Sequence, residues 1–143
     1  MINLLTGIDS TASALDAERI RMDVIAGNIA NANVSRGVDG KPYQRQEVVF
    51  ESVLRDRMDL DSPEAASQMV RIARIQKDSR PPTMIYNPGH PDANKQGMVA
   101  MPNINIHEEM VDMIASSRSY EANLAVVKNA RTMAMQALSI GKH

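Results

Sequence analysis

A chain of 143 residues with one Phe, three Tyr and no Trp has the length of one domain but little of the aromatic bulk that builds a thick core. Its net charge of -1 leaves no electrostatic footprint for nucleic acid or an acidic membrane, and the absence of cysteine removes disulfides and thiolate metal sites without fixing a compartment. No run approaches the roughly 18 apolar residues of a membrane span.

Apolar content is nonetheless an ordinary 43%, carried by Ala, Ile, Val, Leu and eleven Met, which suits helices lying close together. Met1 to Ala14 has no Lys or Arg and only short apolar pairs, so it does not read as a Sec-type signal peptide. From Leu5 onward, Ile8, Leu15, Met22 and Ile29 recur at heptad spacing with Ala12 and Ala26 between them, which predicts a helix with an apolar seam. Asp9, Asp16, Glu18, Arg21 and Asp23 supply its solvated face, while Arg19 interrupts the stripe. The helix is expected to end between Asn28 and Asn33, where side-chain amides compete with the helical ladder, and Gly37 and Gly40 confirm the break. Residues 1–33 are therefore read as an N-terminal axial helix.

All seven prolines lie between Pro42 and Pro102, which sets residues 34–102 apart as a small unit of strands and extended chain. Tyr43 to Phe50 is extended in character, and Met69 to Lys77 alternates apolar with basic residues like a half-exposed strand, so a hairpin or small sheet is expected. Residues 55–67 are acidic, carry Pro63 and lack periodicity, which reads as a loop, with room for a short helix over Glu64 to Met69. From Arg80 to Pro102 the chain is too rich in proline for a helix and is expected to lie extended over another surface.

Residues 103–143 read as a second axial helix. Ile106, Met110, Met113, Ser117, Tyr120, Leu124, Val127, Arg131, Ala134 and Leu138 mark a stripe with a 3.5-residue period. Asn105 is placed to cap its first turn with Glu108 reaching back, and Gly141 to end it in the left-handed conformation. Pairing the two seams within the chain gives a mainly α fold with a small β part, a coiled coil of the terminal helices carrying an irregular and β-hairpin middle. Two helices pressed together along Ala, Ser and Met bury too little surface to offset chain entropy. The expectation is a polymerising or partner-dependent subunit.

No constellation in the sequence points to catalysis. His90-Pro91-Asp92 matches the tripeptide of J-domain co-chaperones, but Pro81, Pro82, Pro88 and Gly89 forbid the basic helix such a domain needs upstream, and a turn is the better reading. His90, Asp92 and His107 are too few ligands at no metal-binding spacing, and His143 is terminal. Glu108 and Glu109 diverge by about 100° on a helix, so they read as first-turn charges favourable to the helix dipole. Ser116, Ser117 and Ser119 have neither a histidine partner nor a glycine elbow and are assigned to a close helix contact. With no glycine-rich phosphate loop either, no cofactor, metal or small-molecule substrate is expected.

Three stretches carry a resemblance. Asn28-Ile29-Ala30-Asn31-Ala32-Asn33 resembles the N-I-A-N-x-N motif of the bacterial flagellar rod and hook family, and Ser119-Tyr120-Glu121-Ala122-Asn123 resembles that family's signature in the C-terminal helix. Tyr86 to Pro102, with Tyr86, Pro88, His90, Pro91, Gly97 and Pro102 followed by Asn103, is similar to the proximal-rod members of the family. Val34 stands where the family usually has Thr, and Met98 where an aromatic is common.

The resemblance implies a structural subunit of the flagellar basal body, in the rod that crosses the periplasm. It implies export through the flagellar type III apparatus without a cleaved signal, and assembly with itself and other rod proteins into a hollow shaft that transmits torque. By matching position, Asn28, Asn31, Asn33, Tyr120 and Asn123 would shape turn and helix contacts. The alternative of a different class is a soluble coiled-coil adaptor or co-chaperone in the cytoplasm.

Overall fold

The computed structural model describes residues 4–54 and 68–140. Two helices, α1 (Leu4–Ala30) and α2 (Ile106–Ile140), pack along each other, and two antiparallel hairpins lie between them in sequence. The first hairpin pairs β1 (Gln46–Leu54) with β2 (Gln68–Lys77), and the second pairs β3 (Thr83–Tyr86) with β4 (Met98–Met101). The mainly α reading with a small β part therefore holds.

The helix ends follow the side chains that cap them. Asn105 accepts the His107 N–H at 3.1 Å through Oδ1, and its carbonyl accepts the first intrahelical bond from Glu109. Glu108 makes no return bond to Asn105, so the cap is one-sided. At the end of α1, Asn31 donates through Nδ2 to the Gly27 carbonyl at 2.8 Å, satisfying a late acceptor as the chain leaves the helix. Gly141, the expected end of α2, lies outside the described residues, as does the loop 55–67. The short helix considered over Glu64 to Met69 is corrected where it can be seen: Gln68 and Met69 belong to β2, paired with Leu54 and Val53.

β1 and β2 run in register from Gln46 opposite Lys77 to Leu54 opposite Gln68, with one bulge that leaves Ala73 without a partner. The pairing places Val48, Phe50, Ile72 and Ile75 on one face and Glu47, Glu51, Arg71 and Arg74 on the other. The apolar face turns to α1, where the Arg21 guanidinium sits 6.0 Å from the centre of the Phe50 ring. The first hairpin is thus packed on the N-terminal helix.

Residues 80–102 form a hairpin rather than the extended strap expected, because the prolines stand outside its ladder. Pro81 and Pro82 precede β3, Pro88 and Pro91 lie in the connection, and Pro102 follows β4. Consecutive turns close the connection: His90 N–H to the Asn87 carbonyl, Ala93 to His90 and Gly97 to Asn94. Asn94 Oδ1 accepts from both Gln96 and Met98 N–H at 2.9 Å. Asp92 ties this hairpin to the connection that follows α1, accepting from Ser35 Oγ at 2.8 Å and pairing with Arg36.

Gly97 has φ of +75°, and a Cβ there would stand 2.9 Å from the Tyr86 ring and 3.2 Å from Pro88 Cβ. Both the backbone and the ring exclude a side chain. Gly97→Ala is expected to weaken the second hairpin by about 1–3 kcal/mol. Hydrogen exchange at the Asn87 and Asn94 amides checks it, and protection equal to the parent's contradicts it.

Candidate functional site: a polar clamp joining three elements

Two of the three buried polar residues among the described residues converge where the end of α1, the start of β1 and the first turn of α2 meet. Asn28 and Glu109 are each 1% exposed. Asn28 Nδ2 donates to the Gln46 carbonyl at 2.9 Å and to Glu109 Oε2 at 3.0 Å, while its Oδ1 accepts from Gln46 N–H at 2.9 Å and Tyr43 Oη at 3.2 Å. The amide thereby uses two donors and two acceptors, and treats the Gln46 peptide as a neighbouring strand would. Its orientation is fixed by this set, since exchanging O and N would put donor against donor and acceptor against acceptor.

Glu109 closes the clamp from the other helix. Its Oε1 accepts from Arg45 Nε at 2.5 Å, and Arg45 also bonds Glu47 and stands 4.0 Å from Asp112. Burial pulls the Arg45 guanidinium down, but the bond and charge of Glu109, then the charge and bond of Glu47, overcome this and raise it above its ordinary value. Burial first, and the Glu109 carboxylate second, raise the Tyr43 phenol, which keeps its O–H available to Asn28. Asp78 N–H donates to the Arg45 carbonyl at 2.8 Å, so the base of the first hairpin is fastened to the same point.

A second buried polar contact lies further along the helices. Ser116 is fully buried and donates to Glu18 Oε2 at 2.5 Å, with the Glu18 carbonyl 3.3 Å away. Of the three serines expected at a close helix contact, Ser116 makes it and fixes the register of α2 on α1, Ser117 is half-buried, and Ser119 is exposed.

The two contacts set which residues α2 turns inward. The covered line runs through Glu109, Met113, Ser116, Tyr120, Asn123, Val127, Ala130 and Ala134 at alternating steps of four and three. Met113, Tyr120 and Val127 of the expected seam lie on this line, Leu124 lies half-buried beside it, and Ile106, Met110 and Leu138 are exposed. Among the described residues of α1 the buried ones are Ala17, Ile25 and Asn28, with Ala32 just past its end. Ile8, Leu15, Met22 and Ile29 are half-buried on the flank of that line.

The residues of the three motifs are dispersed. Asn31 acts locally, Ala30 and Asn33 are exposed, and Ala122 faces outward. Tyr86, Pro88 and Pro91 are exposed around the second hairpin, Pro102 is buried and Asn103 half-buried. His90 accepts the Asp92 N–H through Nδ1 at 3.1 Å, serving its own turn. Glu109, Arg45 and Tyr43 were not singled out by sequence reasoning. Spacing treated Glu109 as a first-turn charge, and only its position one turn after Asn105, on the face that meets α1, distinguishes it from Glu108.

Chemically the clamp is a closed, satisfied network. Its donors and acceptors are spent on each other, and no nucleophile and base are left facing open space. An open groove of about 770 Å³ beyond it mixes Lys41, Lys77 and Arg80 with Asp39 and Asp78.

Asn28→Ala is expected to lower stability by about 2–4 kcal/mol, because it strands the Gln46 peptide and Glu109, and Asn28→Asp by more, because it sets a second carboxylate against Glu109. Urea denaturation followed by helix signal measures both, and an Asp variant as stable as the Ala variant counts against the network. A raised phenol in the folded state means that protons are lost more readily from the unfolded chain. The Tyr43 contribution is therefore intact below about pH 10 and is lost as pH rises through the folded value. Tyr43→Phe should flatten that alkaline decline, and an unchanged profile would contradict the role given to the phenol.

Two family descriptions match the chain: flagella basal body rod protein over residues 8–36, and flagellar basal body rod FlgEFG protein C-terminal over residues 95–140. A flagellar basal-body rod protein FlgC of Borreliella burgdorferi is 40% identical over 97% of this chain and 98% of its own length. Proteins of the same name from Bacillus subtilis and Salmonella typhimurium are 38% and 37% identical, covering 94% and 97% of this chain and 96% and 98% of their own lengths.

Proposed function

We infer the role of this chain from the family to which it belongs, the bacterial flagellar basal-body rod proteins, among which it is FlgC-like. It is a structural subunit of the rod rather than an enzyme, and it resides in the flagellar basal body with other rod components. Similarity across nearly the whole of each chain carries this conclusion. The reading as a cytoplasmic adaptor or co-chaperone finds no support among these relatives.

Within that role, we propose that the subunit belongs to the proximal rod, reaches it through the flagellar type III export apparatus, and assembles with itself and its neighbours into a shaft that crosses the periplasm and transmits torque. The distribution of apolar surface supports the reading. Met110, Val111, Ile114, Val126 and Met133 are exposed on α2 while Glu109 and Ser116 are buried. Apolar residues turned outward along a helix call for neighbouring subunits to cover them. In this reading Ile8, Leu15, Met22 and Ile29, on the flank of the buried line, and Ile106, Met110 and Leu138 on α2 meet adjacent rod subunits. Met113, Tyr120, Leu124 and Val127 hold the helix pair together. Asn28, Asn31, Asn33 and Asn123 fix the turn and the helix contacts, and the hairpin containing Tyr86, Pro88, His90, Pro91 and Gly97 braces one subunit on the next.

Expression in a flagellated host lacking its own proximal-rod gene tests the role. The wild-type chain is expected to restore basal bodies and motility. Leu124→Asp should be secreted at a normal level but at least tenfold depleted from basal bodies, since the half-buried position tolerates no charge whereas threading through a channel requires no packed helix pair. Normal motility and incorporation of that variant would refute the assigned contact, and absence of the wild-type chain from basal bodies would refute the role.

A further inference from the structure

The tripeptide His90-Pro91-Asp92 is held in an arrangement that neither the clamp nor the helix pair uses. Pro88 and Gly89 form the middle of the turn that returns His90 N–H to the Asn87 carbonyl, and Pro91, which has no N–H, leaves Asp92 with the first amide hydrogen after the ring. That amide donates to His90 Nδ1 at 3.1 Å. A ring nitrogen that accepts a hydrogen bond carries no proton, so the fold sets the proton of the neutral imidazole on Nε2. The same Nδ1 stands 4.0 Å from Asp92 Oδ2. One ring atom therefore faces a donor within bonding distance and a carboxylate oxygen just outside it.

Asp92 Oδ2 has a second duty. It accepts from Ser35 Oγ at 2.8 Å, while Oδ1 pairs with Arg36 at 3.4 Å. Among the described residues β3 and β4 approach each other but no other helix or strand, and these two contacts join their hairpin to the connection after α1. Protonation of the ring reverses the preference of Nδ1. An Nδ1–H set against the Asp92 N–H places donor against donor, and the imidazolium attracts the carboxylate beside it. Drawing Oδ2 onto the ring moves it off the Ser35 hydroxyl, and the carboxylate charge is then divided between His90 and Arg36. The charged groups gathered here, among the described residues, are Asp92 from the turn itself and Arg36 from the connection.

We propose that His90 and Asp92 form a proton-operated latch. With the ring neutral, Asp92 binds Ser35 and holds the second hairpin to the connection. With the ring protonated, Asp92 turns back onto its own loop and the hairpin is released from Ser35. The latch is a property of the folded subunit, goes beyond the rod role and does not depend on it.

The coupling between Ser35 and Asp92, obtained from Ser35→Ala, Asp92→Ala and the double variant, measures the tether. In urea unfolding of the full chain, that coupling is expected to be a factor of about five in the unfolding equilibrium constant at about pH 8, and less than about twofold at about pH 5.5. In His90→Asn, whose side-chain oxygen accepts the Asp92 N–H but takes up no proton, the factor is expected to stay at about five at both pH values. An unchanged or larger factor in the parent at the lower pH, or the same loss in His90→Asn, would overturn the latch. A second readout needs no variant. In proton–nitrogen correlation spectra of the parent chain, the Asp92 and Ser35 amide resonances are expected to shift with the same midpoint as the His90 ring protons. A Ser35 resonance that stays still while the ring titrates would equally overturn it.

Discussion

The side chain of Asn28 is the constraint on which the rest of the molecule depends. Four hydrogen bonds radiate from one amide to a strand peptide, a tyrosine and a carboxylate on another helix. A buried carboxylate such as Glu109 is costly without partners, and Asn28 and Arg45 supply them from two different elements. The hairpin is thereby oriented on α1, and α2 is held in one axial register. In a chain with a single Phe and no Trp, specificity of this kind substitutes for the interlocking of large side chains.

Much of the architecture was legible because it rests on local chemistry. Heptad spacing located both helices, proline and glycine bounded the middle, and Asn105 marked the start of α2 to the residue. What escaped was tertiary. Asn28 looked like a residue that frays its own helix, and instead it stays helical and bonds a residue 18 positions away. Proline content suggested an extended strap over residues 80–102, but a proline removes only one donor, and those here stand outside a short ladder. The motif residues were visible one by one. That the first of them closes a clamp on Glu109 was not, because nothing in the spacing of an acidic pair tells which member turns inward.

The helices also show why hydrophobic pattern and burial need not coincide. In an isolated globular domain the apolar stripe is the buried stripe. Here α2 buries Glu109 and Ser116 and leaves Met110, Ile114 and Val126 outside, so the internal contact is narrow and polar in part while the broader apolar surface faces outward. A subunit organised in this way keeps its own register through specific bonds and reserves its less specific apolar surface for neighbours. The two tasks fall on different sides of one helix, and substitutions on the two sides have separable consequences.

The sequence distance spanned by the clamp has a temporal meaning. Asn28 and Glu109 are separated by 81 residues, and Ser116 and Glu18 by 98. As the chain is synthesised α1 emerges without its partner, and neither helix alone carries the bonds that fix the pair. Closure of the pair is deferred until most of the polypeptide has been made. The wide spacing of these few contacts therefore makes the helix pair one of the last parts of the chain able to close, a delay written into the order of the residues.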